Sequence, residues 1–373
     1  MIEQIELRGI ARQLATPGKG ILASDESPNT IGKRLEKHGI ENTQENRRKY
    51  RSLFYSAKLG SSISGAILFP EALQMVTDEG IGFVDALNDQ GILVGVKVDQ
   101  GLTPLEDSHE DAHLGETCTK GLDTLATRCK EYKNQGAVFA KWRAAIRICA
   151  LPDGGYDVSS CSVEVNATQL AEYAQICHQV GIVPIVEPEI LIDGDHDIDT
   201  CERISARVLQ ACVGKLWEYN VDLGAVLLKP QMVVPGVDCT NPPPDPTEIA
   251  TRTLRIMRQI VPPAVPGIMF LSGGMTETQS TSNLNMLNVV SKSSVDYRAP
   301  WSLSFSFGRG LQASVLKMWS TMGPGSEQKC KTKAEEIARV NGKASLGAYL
   351  TGDKHPSICE AGGTLQEDFR GHY

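Results

Sequence analysis

The stretch Gly181-Ile-Val-Pro-Ile-Val-Glu-Pro-Glu-Ile190 opens on an apolar run, Ile182 to Val186, and closes on two carboxylates, Glu187 and Glu189. An apolar, β-branched run without polar alternation is the pattern of a parallel strand buried on both faces. Working outward, the pattern recurs at Ile21 to Ala23, Ala66 to Phe69, Ile92 to Val98, Ala137 to Ala140, Ala225 to Leu228, Ile268 to Leu271 and Leu303 to Phe307. Most starts lie roughly 35 to 45 residues apart, with one shorter interval of about 25, which is room for a strand, a crossover helix and two loops. Eight such alternations predict an α/β fold, a single closed (β/α)8 TIM barrel.

Helix signals fill the intervals. Asn166 offers an N-cap oxygen, Leu170, Tyr173, Ala174 and Cys177 share one face, and Gly181 suits a left-handed C′ position. Asp193-Gly-Asp-His-Asp-Ile-Asp199 is read as the cap of a following helix, since it lacks the rest of a calcium loop. At the N-terminus Ile2, Ile5, Ile10 and Leu14 fall at helical spacing. The barrel with this helix is placed at residues 1–320. Residues 321–373 are read as a C-terminal extension of the same domain, with a charged helix at Lys331 to Val340 and a mobile tail.

Composition narrows the function. The chain has 373 residues, 41% hydrophobic and 22% charged, with a formal net charge of −8. That balance, with no basic run, excludes the field that non-specific nucleic-acid binding needs and gives no affinity for an anionic membrane. No stretch reaches the ~20 apolar residues of a spanning helix. Ten scattered cysteines without a Cys-x-x-Cys pair read as reduced thiols of a cytosol-like compartment, with a plastid as the alternative if a leader has been removed.

The informative feature is where the charges stand. Asp25, Lys97 and Asp99, Lys141 and Arg143, Glu187 and Glu189, and Lys229 each end an apolar run. Residues two apart on a strand share a face at about 6.6 Å, and the C-terminal mouth of such a barrel is where active sites lie. Half-burying several ions together costs several kcal/mol for each uncompensated one, which a purely structural barrel has no reason to incur. Two lysines in a walled cavity suit amine catalysis. Desolvation and a neighbouring cation disfavour the ammonium form, a neutral amine attacks a carbonyl, and the resulting iminium is an electron sink. A carboxylate such as Glu187 can carry the protons.

Two further features fit phosphate. Ser272-Gly273-Gly274 follows the seventh strand and Gly308-Arg309-Gly310 the eighth, loops that barrels use to hold phosphate on backbone N–H groups, with Arg309 adding a charge-assisted contact. Gly308 to Ala313 also satisfies a dinucleotide pattern, but it closes the last β/α unit and no further strand brings an acid to a ribose. Asp25-Glu26-Ser27-Pro28-Asn29-Thr30, with Lys33 and Arg34 one turn on, offers hydroxyls, a helix N-terminus and cations for a second phosphate. No His-x-x-x-His or zinc-spaced Cys/His cluster and no G-x-S-x-G elbow occurs, so no metal and no cofactor is expected.

Ile21-Leu-Ala-Ser-Asp-Glu-Ser27, Val94-Gly-Val-Lys-Val-Asp99, Phe139-Ala-Lys-Trp-Arg143, Gly181 to Ile190, Leu227-Leu-Lys-Pro230 and Phe270-Leu-Ser-Gly-Gly274 together resemble the class I, Schiff-base-forming fructose-bisphosphate aldolases. The likeness runs from about Ala11 to Gln312. It implies that Lys229 forms the Schiff base, Lys141 perturbs it, Glu187 is the main acid/base, Glu189 supports the lysines and Asp25 handles the C4 hydroxyl. It further implies that Ser272, Gly273, Gly308 and Arg309 hold the 1-phosphate, that Ser27, Thr30, Arg34, Lys97 and Arg143 surround the other end of the sugar, and that Tyr373 is a terminal tyrosine assisting proton exchange. The expected substrate is a phosphorylated sugar, cleaved in glycolysis and gluconeogenesis by a cytoplasmic homotetramer. Thr30 stands where many members have Ser, and the stretches Cys149 to Ser162 and Ser291 to Pro300 are longer than usual. The first is expected to alter access to the mouth and the second to lie at the opposite end. A transaldolase-like enzyme acting on a monophosphate is the rival reading, against which the paired phosphate clusters argue. A binding role with filament or scaffold partners is a third, and retention of Lys229, Lys141, Glu187 and Asp25 disfavours it as a replacement for catalysis.

Overall fold

The computed structural model describes residues 2–105, 112–152, 154–350, 352 and 354–359. Eight parallel strands close into a barrel in chain order: β1 Gly20–Ser24, β2 Ile63–Leu68, β3 Leu93–Lys97, β4 Phe139–Ile146, β5 Val183–Ile190, β6 Leu227–Leu228, β7 Gly267–Phe270 and β8 Ser302–Phe307. The helices are α1 Ile2–Leu14, α2 Pro28–Lys37, α3 Gln44–Tyr55, α4 Phe83–Asn88, α5 Leu125–Asn134, α6 Ser160–Val180, α7 Ile198–Glu218, α8 Pro246–Ile260, α9 Glu277–Ser293, α10 Arg309–Met322 and α11 Glu327–Ala344. Each strand position read from the sequence is occupied, and the barrel closes because β1 pairs with both β2 and β8. Among the described residues no helix is long and apolar enough to cross a membrane.

Alternation along the strands divides the apolar side chains between two cores. Outward-facing Leu22, Ala140, Trp142, Val186 and Leu228 pack under the helices. Inward-facing Ile21, Ala23, Phe139, Val183, Ile185, Leu227 and Met269 fill the barrel, and α1 seals its N-terminal end with Leu7, Ala11 and Leu14. Gly95 makes room for this plug, because a Cβ there would lie 2.1 Å from the Phe139 ring. The N-terminal stripe therefore differs from the one expected: Ile5 is 67% exposed, and Leu7, Ala11 and Leu14 face the barrel.

Other readings of the sequence give way for physical reasons. β4 and β5 run on to Ile146 and Ile190, so Lys141, Arg143, Glu187 and Glu189 lie within strands rather than ending them. Facing in, they point at a cavity, where charge does not stop a strand. Helix α6 begins at Ser160, whose cap is Ser159 accepting from Ser162 N–H at 2.9 Å; Asn166 is buried in its second turn and donates to Thr117 O and Ser162 O. β8 alternates polar and apolar residues, with Leu303, Phe305 and Phe307 in the outer core. Gly181 does take the left-handed conformation, φ 77°, and Asp197 caps α7 through Thr200 N–H at 2.8 Å. Beyond the barrel, α11 is longer than expected, burying Cys330, Ala334, Ile337 and Ala338 at helical spacing against α3, α9 and α10.

Candidate active site

The C-terminal mouth opens into a cavity of about 790 Å³. Its floor is made by the inward positions one step above the apolar plug. Following Phe139 along β4 come Lys141 and Arg143; following Ile185 along β5 come Glu187 and Glu189; Lys229 follows Leu227, Lys97 follows Gly95 and Asp25 follows Ala23. The pleat thus delivers ions to one layer because every second residue points inward.

These ions form a lattice. Glu187 is 2% exposed and Lys141 and Lys229 are each 4% exposed. Glu187 bridges the two amines, with Lys141 Nζ 2.6 Å from Oε2 and Lys229 Nζ 2.7 Å from Oε1. Lys141 also donates to Asp25 Oδ2 at 3.2 Å. Arg143 pairs with Glu189, and Lys97 with Asp99. Burial pushes the Lys141 ammonium toward neutrality, but the carboxylates of Asp25, Glu187 and Asp99 outweigh it and hold its pKa above the ordinary lysine value. Burial likewise raises the Asp25 carboxyl, and the positive charges of Lys141, Lys229 and Lys97 overcome this, bringing it down to about 2. Glu189 is lowered against burial by Arg143, with Lys229 and Lys141 contributing. The site therefore contains a lasting cation, Lys141, tied through one carboxylate to a second amine.

The rim supplies anion-binding groups at two places. Ser27 caps α2, its Oγ accepting from Thr30 N–H at 3.2 Å and lying 3.0 Å from Thr30 Oγ1. Arg34, on the same helix, donates to Glu26 at 2.6 Å. On the adjoining side of the rim, past β8, Ser272 is buried and accepts from Gly310 N–H at 3.4 Å, which joins the loops after β7 and β8 at the start of α10. Fourteen of the fifteen residues to which the resemblance assigns a role line this one cavity: Asp25, Ser27, Thr30, Arg34, Lys97, Lys141, Arg143, Glu187, Glu189, Lys229, Ser272, Gly273, Gly308 and Arg309. Tyr373, the remaining one, lies outside the described residues. The lining also includes Gln100, Arg128 and Tyr132, which sequence reading missed. Arg128 braces the wall by donating to Val98 O at 2.6 Å and to Gly121 O. A charge in the middle of a polar helix carries no signal of this kind.

A family model for fructose-bisphosphate aldolase class-I matches residues 6–364. The chain belongs to the class-I fructose-bisphosphate aldolase family. It is 44% identical to fructose-bisphosphate aldolase C-B of Danio rerio, over 93% of this chain and 91% of that one. It is 45% identical to fructose-bisphosphate aldolase of Drosophila melanogaster, over 94% and 92%. Fructose-bisphosphate aldolase from Plasmodium falciparum, solved in a ternary complex with TRAP and a small-molecule inhibitor, superposes with a TM-score of 0.87 at 42% identity, covering 94% of this chain and 97% of that one. The reaction is therefore that of a class-I aldolase: reversible cleavage of fructose 1,6-bisphosphate to dihydroxyacetone phosphate and glyceraldehyde 3-phosphate through a lysine Schiff base. The longer segment after β4 folds into a hairpin, Cys149–Ala150 with Tyr156–Asp157, gripped by Arg203 and Arg207. None of its described residues lines the cavity of this aldolase. The stretch from Ser291 to Pro300 does sit at the opposite end, leading into β8.

Proposed function

We propose that Lys229 is the Schiff-base lysine and that Lys141, held as a cation by Asp25 and Glu187, is its electrostatic partner. The observation carrying this is the Glu187 bridge between the two amines at the floor of the cavity. Lys229 Nζ adds to the C2 carbonyl, and Glu187, in contact with both nitrogens, passes the proton that lets water leave the carbinolamine. Asp25 is ionised across the physiological range and takes the C4 hydroxyl proton. The C3–C4 bond then breaks toward the iminium, releasing glyceraldehyde 3-phosphate and leaving an enamine. Protonation at C3 and hydrolysis return dihydroxyacetone phosphate and free Lys229.

Glu189 balances Arg143, keeping a half-buried cation compensated beside the lysines. Ser272, Gly273, Gly308 and Arg309 hold the 1-phosphate, with backbone N–H groups at the start of α10 and the Arg309 guanidinium. Ser27, Thr30, Arg34, Lys97 and Arg143 receive the other end of the sugar. Tyr373 assists proton exchange on the enamine, a role inferred from sequence resemblance alone. The working form is a homotetramer, for whose interfaces exposed Trp217 and Val295 are apolar candidates. Ten free thiols suit a reducing compartment, the cytoplasm or a plastid stroma. Residues 321–373 act as an extension of the barrel domain, with α11 packed on it.

The test is borohydride reduction in the presence of dihydroxyacetone phosphate, followed by peptide mapping. Label on Lys229 supports the assignment; label on a different lysine overturns it.

A further inference from the structure

We propose that Gln231 is a positioning residue for the reaction: its side-chain amide replaces a missing rung of the barrel ladder between β5 and β6 and so holds Glu187 in register with Lys229. The inference rests on the Lys229 assignment above.

Strand β6 is two residues long, pairing Leu227 with Ile185 and Leu228 with Val186. One more rung follows, Lys229 N–H donating to Val186 O at 2.8 Å. Donors in a parallel ladder alternate between the strands in steps of two, so the next donor would be residue 188. That residue is proline and has no N–H. The main-chain ladder thus stops at the level where Glu187, Glu189 and Lys229 leave the backbone. Among the described residues, main-chain bonds across this seam resume only in the loops, at Val237 N–H to Ile192 O, 2.8 Å.

Gln231 fills the interval. It is buried, its Oε1 accepts from Ile190 N–H at 2.9 Å, and its Nε2 donates to Ser205 Oγ on α7 at 3.1 Å. The flanking seams need no such help. Strands β4 and β5 stay paired as far as Ile146 and Ile190, and Leu271 N–H donates to Pro230 O at 3.0 Å. The seam that Gln231 spans is therefore the one across which Glu187 must meet Lys229 at 2.7 Å. Small misplacements of reacting groups carry large rate costs. The phosphate-binding loops follow β1, β7 and β8 and do not cross this seam, so loosening it lowers turnover and spares substrate binding.

Gln231→Met keeps the volume and removes the amide; Ser205→Ala leaves Gln231 but removes its anchor. The readouts are kcat and KM for fructose 1,6-bisphosphate and the rate of borohydride-trapped adduct formation with dihydroxyacetone phosphate. The expected result for Gln231→Met is a kcat lower by about tenfold, with slower trapping at Lys229 by a similar factor and a KM within about twofold of wild type. Ser205→Ala shows the same pattern at about two- to threefold. Wild-type trapping rates in the folded variants, or a raised KM with kcat retained, overturn the proposal. If Gln231→Met does not fold, Ser205→Ala decides by the same criteria. Mapping the wild-type adduct separates the two claims: label on another lysine removes the Lys229 assignment and this proposal with it, whereas a passive Gln231 leaves the wild-type label on Lys229.

Discussion

The lower and upper halves of the barrel interior are built from the same strands and differ completely in chemistry. Below, Ile21, Phe139, Ile185 and Leu227 form a dry plug sealed by α1. One inward step higher, Asp25, Lys141, Glu187 and Lys229 form a buried ion lattice. The transition takes two residues on β1, β4, β5 and β6, from Ala23, Phe139, Ile185 and Leu227 to the ions. The plug gives the barrel the rigidity that the lattice, costly to desolvate, requires of its surroundings. Stability and catalysis are thus stacked along the barrel axis, and substitutions above and below the boundary should separate them.

The largest effect belongs to Lys229→Met, which removes the proposed nucleophile and is expected to lower kcat on the order of 10⁴-fold or more in a coupled assay, with unfolding little changed. Glu187→Gln follows, with a loss of about 10² to 10⁴ in kcat, because the variant can still hydrogen-bond but no longer carries the proton. Below the boundary the pattern reverses. Phe139→Ala is expected to cost about 3–5 kcal/mol in denaturant unfolding, while the folded enzyme keeps a kcat near wild type. A parallel loss of kcat there would mean that the two halves are not separable.

Two smaller effects sharpen the boundary. Asp25 is held at about 2 in the folded chain, against an unfolded value near 3.9. Its contribution to stability is present above about pH 4 and is lost as pH falls from there toward 2, amounting to about 2 kcal/mol. Chemical denaturation at pH 5 and pH 3 should show this component in the wild type and not in Asp25→Asn. Arg309→Ala, at the rim, should raise KM for fructose 1,6-bisphosphate by about tenfold with a smaller change in kcat.

Much of this was legible in the sequence, for reasons specific to barrels. Uniform apolar runs such as Ile182 to Val186 mark strands buried on both faces, and charges beside them mark the mouth. The same uniformity concealed the alternation: nothing in Phe139-Ala-Lys-Trp-Arg distinguishes Trp142, in the outer core, from Lys141, in the cavity. Strands β4 and β5 run past their ions because charge inside a parallel strand is tolerated where a cavity receives it. Asn166 lost the cap to Ser159, which Glu116 accepts from at its backbone N–H, 2.7 Å away. Arg128 and Gln231 act through contacts between elements distant in sequence, for which no local pattern exists.

The central claim is that one carboxylate joins a permanent cation to the amine that captures the ketone. A crystal structure of the borohydride-reduced adduct with dihydroxyacetone phosphate tests it directly. The account predicts a bond from Lys229 Nζ to C2, Glu187 still contacting Lys141, and the phosphate seated between Gly273 and Arg309. A bond to Lys141, or a phosphate lodged beside Ser27 and Thr30 instead, would contradict it.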